Sequence, residues 1–248
     1  MKRLFVLLIF LSSVLIVSGQ GNVVKANLTS LALKDFYFSY ERTFLEKFSV
    51  NIGYDFMPAR GVPFSSSFPN VNGNPSPAKD MKMSGWRITP EFRFYTSLVK
   101  GAPKGFYVAP YFRYGKYDFS LDDYQYHYND MYDGNKTKTA DIDYRGNYTA
   151  VGGGIMIGHQ WILAKHVSLD FWIVGIGLSN TKFNIKASSE DLDQRYFEQG
   201  SDFTDNIENA LKVFNNVQIT TGKDNVQADS KGILLGLRGL GFNVGFAF

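Results

Sequence analysis

Large apolar and small or polar residues alternate with a period of two in segment after segment of this chain. In the terminal GFNVGFAF, Leu240, Phe242, Val244, Phe246 and Phe248 share one face, opposite Gly241, Asn243, Gly245 and Ala247. That is the pattern of a β-strand with two unlike faces. FSVNIGYDFM sets Phe48, Val50, Ile52, Tyr54 and Phe56 against Ser49, Asn51, Gly53 and Asp55. FYFSYERTF (36–44), RITPEFRFY (87–95) and GFYVAPYFRY (105–114) behave alike, and Lys25–Leu33, Tyr148–Trp161, Val167–Leu178 and Gly239–Phe248 complete a set of eight. Most run nine to ten residues, the length of a tilted strand that crosses a bilayer.

An even number of antiparallel strands is what a closed single-chain barrel in an outer membrane requires, with short inner turns and long outer loops. The connections fit except for the first outer one, which is short. Outer ones fall at Lys34–Asp35, Pro58–Gly85, Asp118–Asn147 and Ser179–Lys231, and inner ones at Leu45–Lys47, Ser97–Lys104 and Leu163–His166. The predicted fold is therefore all-β: an eight-stranded antiparallel transmembrane β-barrel with long extracellular loops, over 20–248. A barrel of eight strands has room inside only for packed side chains or one small ligand, so the large apolar row is expected to face lipid. The interior then holds Glu41, Asp55, Arg87, Glu91, Arg93, Arg113 and Asp170. Buried charges persist only when paired, and a network of Arg87, Arg93 and Arg113 with Glu41, Glu91 and Asp170 is expected to plug the lumen. Pro90 and Pro110 fall mid-strand, where each deletes a ladder hydrogen bond or marks a bulge. The apolar row changes parity near Gly239, as a glycine bulge would make it do.

At the N-terminus, Lys2 and Arg3 precede an apolar run from Leu4 to Val17, followed by Ser18, Gly19 and Gln20. This reads as a cleaved signal peptide over 1–19, since the run falls short of the ~20 residues of a spanning helix. Without Lys2 and Arg3, the 26 basic residues become 24 against 23 acidic ones. A near-neutral chain without a basic cluster offers nucleic acid no electrostatic footprint. With 44% hydrophobic and 16% aromatic residues, disorder is excluded. Cysteine is absent, so disulfides, thiol nucleophiles and thiolate metal sites are excluded too.

ANLTSLALKDFYFSYERTF, ITPEFRFY, GFYVAPYFRYG, GGGIMIGHQWIL and GFNVGFAF together resemble a family of small outer-membrane β-barrel proteins common in Bacteroidota and carried under a domain-of-unknown-function label. The resemblance implies the barrel and its location. It implies no activity and supplies no functional residues.

Candidate chemistry is sparse. VGGGIMIG (151–158) lacks the Gly-Lys-Ser/Thr of a phosphate loop, so its glycines are expected to make room for large interior neighbours such as Arg113 or Trp172. Of the three histidines, His166 falls in an inner turn and His159 on the outward row. His127 lies among Asp122, Asp123, Asp130 and Asp133, which leaves an outer-membrane hydrolase, protease or lipid-modifying, as the alternative. Asp130, Asp133 and Asn135 lack EF-hand spacing, and no metal or cofactor is expected. Tyr124, Tyr126, Tyr128 and Tyr132, with His127, suit a recognition loop for a glycan or protein, because tyrosine offers amphipathic contact area at low entropic cost. In SDFTDNIENALKVFNNV, Phe203, Ile207, Ala210, Leu211 and Phe214 share a helical face, expected to pack over the rim, and Asp205 with Glu208 resembles a capping box. Asn-X-Thr triplets at Asn27, Asn135 and Asn147 matter only in a eukaryotic secretory route. The reading is of a monomeric, non-enzymatic barrel whose partners are outer-membrane lipid and a surface ligand. The further alternative is a soluble barrel holding an apolar ligand.

Overall fold

The computed structural model describes residues 21–63, 65–67, 70, 75–96, 103–210 and 216–248. The leader read at 1–19 and most of the inner connection at 97–104 lie outside the described residues. Ten antiparallel strands form one sheet: β1 (Asn22–Asn27), β2 (Phe36–Leu45), β3 (Phe48–Gly61), β4 (Lys82–Tyr95), β5 (Gly105–Asp130), β6 (Lys136–Leu163), β7 (Val167–Ser188), β8 (Val217–Thr221), β9 (Asn225–Arg238) and β10 (Gly241–Ala247). Each of β1 to β6 pairs with the next, and β10 pairs with both β7 and β1. That closes a ring of eight strands. At the seam Asn22 and Phe248 exchange backbone bonds of 3.1 and 2.9 Å.

The ring has a lower end, where the chain terminates, and an upper end, where β5 to β7 and β9 run on past it. The segments 118–147 and 179–231, expected as loops, are in large part continued strand. In β5 and β6 the pairing climbs from Asp118↔Asn147 to Asp130↔Lys136, leaving a turn of only five residues. Polarity explains why the extension escapes a search for apolar rows. In the ring the outward residues are apolar, among them Ile176 at 59% exposure and Leu237 at 75%. Higher on the same strands Ala140, Ile142, Ala187 and Val226 face inward and are buried, while Asp141, Arg145, Lys182 and Lys186 are exposed.

Two expectations are corrected at the first and last strands. The segment Lys25–Leu33 is strand only to Asn27, and Leu28–Ala32 is a short helix, α1. Asn27 ends the strand because its Oδ1 accepts the Ser30 N–H at 2.5 Å, an N-cap, while its Nδ2 donates to Asn243 at 2.8 Å. The closing strand is split into β9 and β10 by Gly239 and Leu240, which lie opposite the irregular 173–174 step of β7. The parity change near Gly239 is thus a break in the strand. Pro90 and Pro110 sit at gaps in the β4–β5 ladder, whose register is otherwise unshifted from Arg87↔Gly115 to Tyr95↔Tyr107. The prolines delete hydrogen bonds there without forming a bulge.

Glycine makes the crowded interior possible beside tyrosine and tryptophan, and Gly152 is the cross-strand partner of Arg113. A Cβ on Gly158 would lie 2.4 Å from the Tyr107 hydroxyl, and one on Gly241 would lie 1.9 Å from the Trp172 ring. Trp172 is held there by a 2.8 Å bond from its Nε1 to the Gly239 carbonyl. Gly241→Val is accordingly expected to lower stability by roughly 1–3 kcal/mol through overpacking. Thermal unfolding in detergent, followed as a gel-mobility shift, reads this, and an unchanged transition would mean that Trp172 yields freely.

Candidate functional site

The lower interior is filled by charge. Lys25, Glu41, Glu91, Arg93, Asp170 and Arg238 come from five strands, and Glu41, Arg93 and Asp170 have no exposure at all. The Lys25 ammonium donates to Glu41 Oε2 at 2.5 Å, Asp170 Oδ2 at 2.7 Å and Gln160 Oε1 at 2.9 Å. Arg93 forks onto Glu91 Oε2 at 2.7 and 2.9 Å and reaches Asp170 at 2.8 Å. Arg238 bonds the other Glu91 oxygen at 2.7 Å. The Tyr95 hydroxyl donates to Glu41 at 2.6 Å, that of Tyr107 to Asp170 at 2.8 Å, and Ser49 also donates to Glu41. Three cations thus meet three carboxylates with their hydrogen bonds satisfied, the condition under which buried charge is tolerated.

Sequence reasoning missed Lys25, Gln160 and Arg238 as members of this network. Lys25 alternates with Val23 and Asn27 on the buried row, which was a legible signal. Arg87 and Arg113 do not belong to it. Arg87 pairs with Asp55 four residues farther up the β3–β4 ladder, where it is 27% exposed. Arg113 has no carboxylate within ion-pair distance among the described residues and lies 5.3 Å from the Tyr111 ring centre.

Above the ring a second core closes the mouth. It joins Leu121, Tyr124, Ile142 and Tyr144 with Leu192, Tyr196, Phe197 and Phe203. The last four belong to a segment containing a 3-10 helix, Gln194–Phe197, and the helix α2, Asp202–Ala210. Of the predicted helical face, Phe203 is buried and Ile207 packs against this core, while Leu211 and Phe214 lie outside the described residues. The helix begins earlier than expected, because Ser201 rather than Asp205 caps it by accepting the Thr204 N–H at 3.3 Å.

Most of the expected recognition tyrosines face inward. A bulge at residues 122–123, with Asp123 at φ 53°, shifts the register and turns Tyr124, Tyr126 and Tyr128 toward the mouth. Tyr126 lies 5.2 Å from Phe203 and Tyr128 lies 4.9 Å from Tyr196, ring centre to ring centre. Tyr132 stays 51% exposed at the tip, with the Arg195 guanidinium 3.4 Å over its ring. The side chain and backbone N–H of Arg195 hold the Asp193 carboxyl down at about 2. The Lys138 ammonium, with the Tyr132 N–H, lowers Asp130 as well.

Three of the four aspartates around His127 are engaged elsewhere. Asp122 pairs with Arg145, Asp130 and Asp133 pair with Lys138, and the His127 ring contacts Thr139 at 2.8 Å. His159 stacks on Trp161, and His166 bonds the Ala247 carbonyl at 3.1 Å. Among the described residues no three His, Asp or Glu side chains are grouped to hold a metal.

The chain belongs to the family described as "Protein of unknown function (DUF3575)", whose model matches residues 4–199. No curated protein matches the sequence. Among solved structures it is similar to the beta domain of the Bordetella autotransporter BrkA, with 11% identity over 92% of this chain and 98% of that one. The TM-score of 0.24 is too low for that likeness to bear on the fold.

Proposed function

We propose that the ring is an eight-stranded β-barrel of a bacterial outer membrane, of the Bacteroidota kind suggested by its sequence, and that the leader exports it. Its lumen is plugged at the level of the charged network, it is monomeric and non-enzymatic, and it serves as a structural or recognition element that presents its capped upper end at the cell surface. The observation that carries this reading is the inversion of polarity along single strands. Lower β6 turns Val151, Ile155 and Trp161 outward and buries Gln160, whereas upper β6 turns Asp141 and Arg145 outward and buries Ile142. One strand then meets two solvents: acyl chains below, water above. A soluble barrel would keep apolar residues inside along its whole height. The lumen, occupied by the charged network, leaves an apolar ligand no place, and engagement of Asp122, Asp130 and Asp133 by Arg and Lys weighs against the hydrolase. The adhesive surface reduces to the tip around Tyr132, His127 and Arg195.

Protease treatment of intact cells, with cut sites mapped by mass spectrometry, tests the reading. Cuts are expected only at the upper end, in the segments 62–81, 131–135 and 189–224, with a heat-dependent mobility shift for the purified protein. Cuts at 97–104 on intact cells would invert the orientation. Protection until the envelope is opened would instead leave a periplasmic protein.

A further inference from the structure

The wall of the ring is incomplete at one place. β1 leaves the sheet at Asn27, and β9 stops at Arg238 before β10 resumes at Gly241. Residues 231–238 of β9 therefore pair with β7 on one side and, among the described residues, with no strand on the other. Between this edge and α1 a window opens into a cavity of about 290 Å³ whose polar lining includes Asp35, Tyr37, Asp55, Arg87, Arg113 and Arg238. The rim of the window is Leu33, Leu237 and Leu240, each among the exposed apolar side chains of the outer surface.

The lining holds several polar groups without partners. Arg238 is held by Glu91 and Arg87 by Asp55, but Arg113 has no anionic partner among the described residues. Asp35 Oδ1 is likewise buried without a hydrogen-bond partner. The Tyr37 hydroxyl, on a residue 5% exposed, has no hydrogen-bond partner, nor do the Nε atoms of Arg87 and Arg113. A buried donor left unpaired costs about 1–3 kcal/mol, so three in one cavity mark a place shaped for an acceptor that comes from outside. Guanidinium groups supply paired, directed donors for a tetrahedral oxyanion.

We infer that this window binds the phosphate of an anionic membrane lipid, with the headgroup on Arg113, Arg87 and Tyr37 and the acyl chains along Leu33, Leu237 and Leu240. The inference rests on the membrane-barrel reading. An occupant arriving through a gap rimmed by exposed leucines comes from the lipid phase, so an amphiphile fits better than a free ion.

The test uses the full mature chain reconstituted in phosphatidylcholine vesicles with and without phosphatidylglycerol. Flotation first establishes insertion; a chain that does not float with the vesicles refutes the barrel reading itself. For the inserted protein, native mass spectrometry after mild detergent release reads the lipid retained. Phosphatidylglycerol is expected to be kept over phosphatidylcholine. Arg113→Leu is expected to reduce that retention about tenfold, as for the loss of one charge-assisted bond. Tyr37→Phe, which removes only the orphan hydroxyl, keeps the fold and is expected to reduce it less. Equal retention of both lipids, or an Arg113→Leu protein that keeps as much phosphatidylglycerol as the wild type, would overturn the inference. Inorganic phosphate that displaces the retained lipid and raises the unfolding temperature equally well would assign the cavity to a soluble anion, and would overturn it too.

Discussion

Replacing Glu91 by alanine is expected to lower the unfolding temperature of the protein in detergent by about 10 °C. Both Glu91 oxygens are used: Oε2 accepts from Arg93 and from Asn51, and Oε1 accepts from Arg238. Truncation leaves two guanidinium groups in a lumen closed to water, and removing one partner of a buried ion pair costs about 3–5 kcal/mol. In a protein of this size each kcal/mol moves the midpoint by about 2–4 °C. Asp55→Ala is the contrast, because water reaches its partner Arg87 and screens the orphaned charge, so a smaller drop is expected. Glu91→Gln, which keeps an acceptor but no charge, should fall between wild type and alanine. The gel-mobility transition of the four proteins measures all of this. An unaltered transition in Glu91→Ala would mean that the lumen is hydrated and the network contributes little.

The faces of the ring strands were legible in the sequence because an apolar exterior and a filled lumen demand opposite residue types from neighbouring positions. The rows read in 48–57 and 241–248 are the rows the structure turns outward and inward. What could not be read was height. Asp55 and Arg87 share the charge row with Asn51 and Glu91, but four residues of rise put them in another compartment, and only the register reveals it. Parity was also lost at places where the chain slips by one residue, among them 122–123, 173–174 and 239–240. The first slip reverses the tyrosines of 124–128, which by composition alone read as a surface. Above it, strands with polar outward faces read as loops because they carry no outward apolar row. Arg238 illustrates the same limit: as a break in an outward row it looks like a defect, whereas across the lumen it completes Glu91.

The separation of the two cores leads to the second large effect. Phe197 has no exposure and packs edge-on to Phe203 with ring centres 5.7 Å apart. Phe197→Ala is expected to remove about 3–5 kcal/mol from the upper core. That core shares no residue with the aromatic cluster of Tyr95, Tyr107, Met156 and Trp172 around the charge network. The loss should therefore appear as local opening of the cap, with the ring still folded. Cleavage of the segment 189–210 by added protease, where it tracks the open population, should accelerate by about 100-fold or more, since each 1.4 kcal/mol is tenfold. The heat-induced mobility shift should stay near its wild-type temperature. A transition that falls together with faster cleavage would show that cap and lumen unfold as one unit, and the upper core would then be a support of the ring rather than a lid upon it.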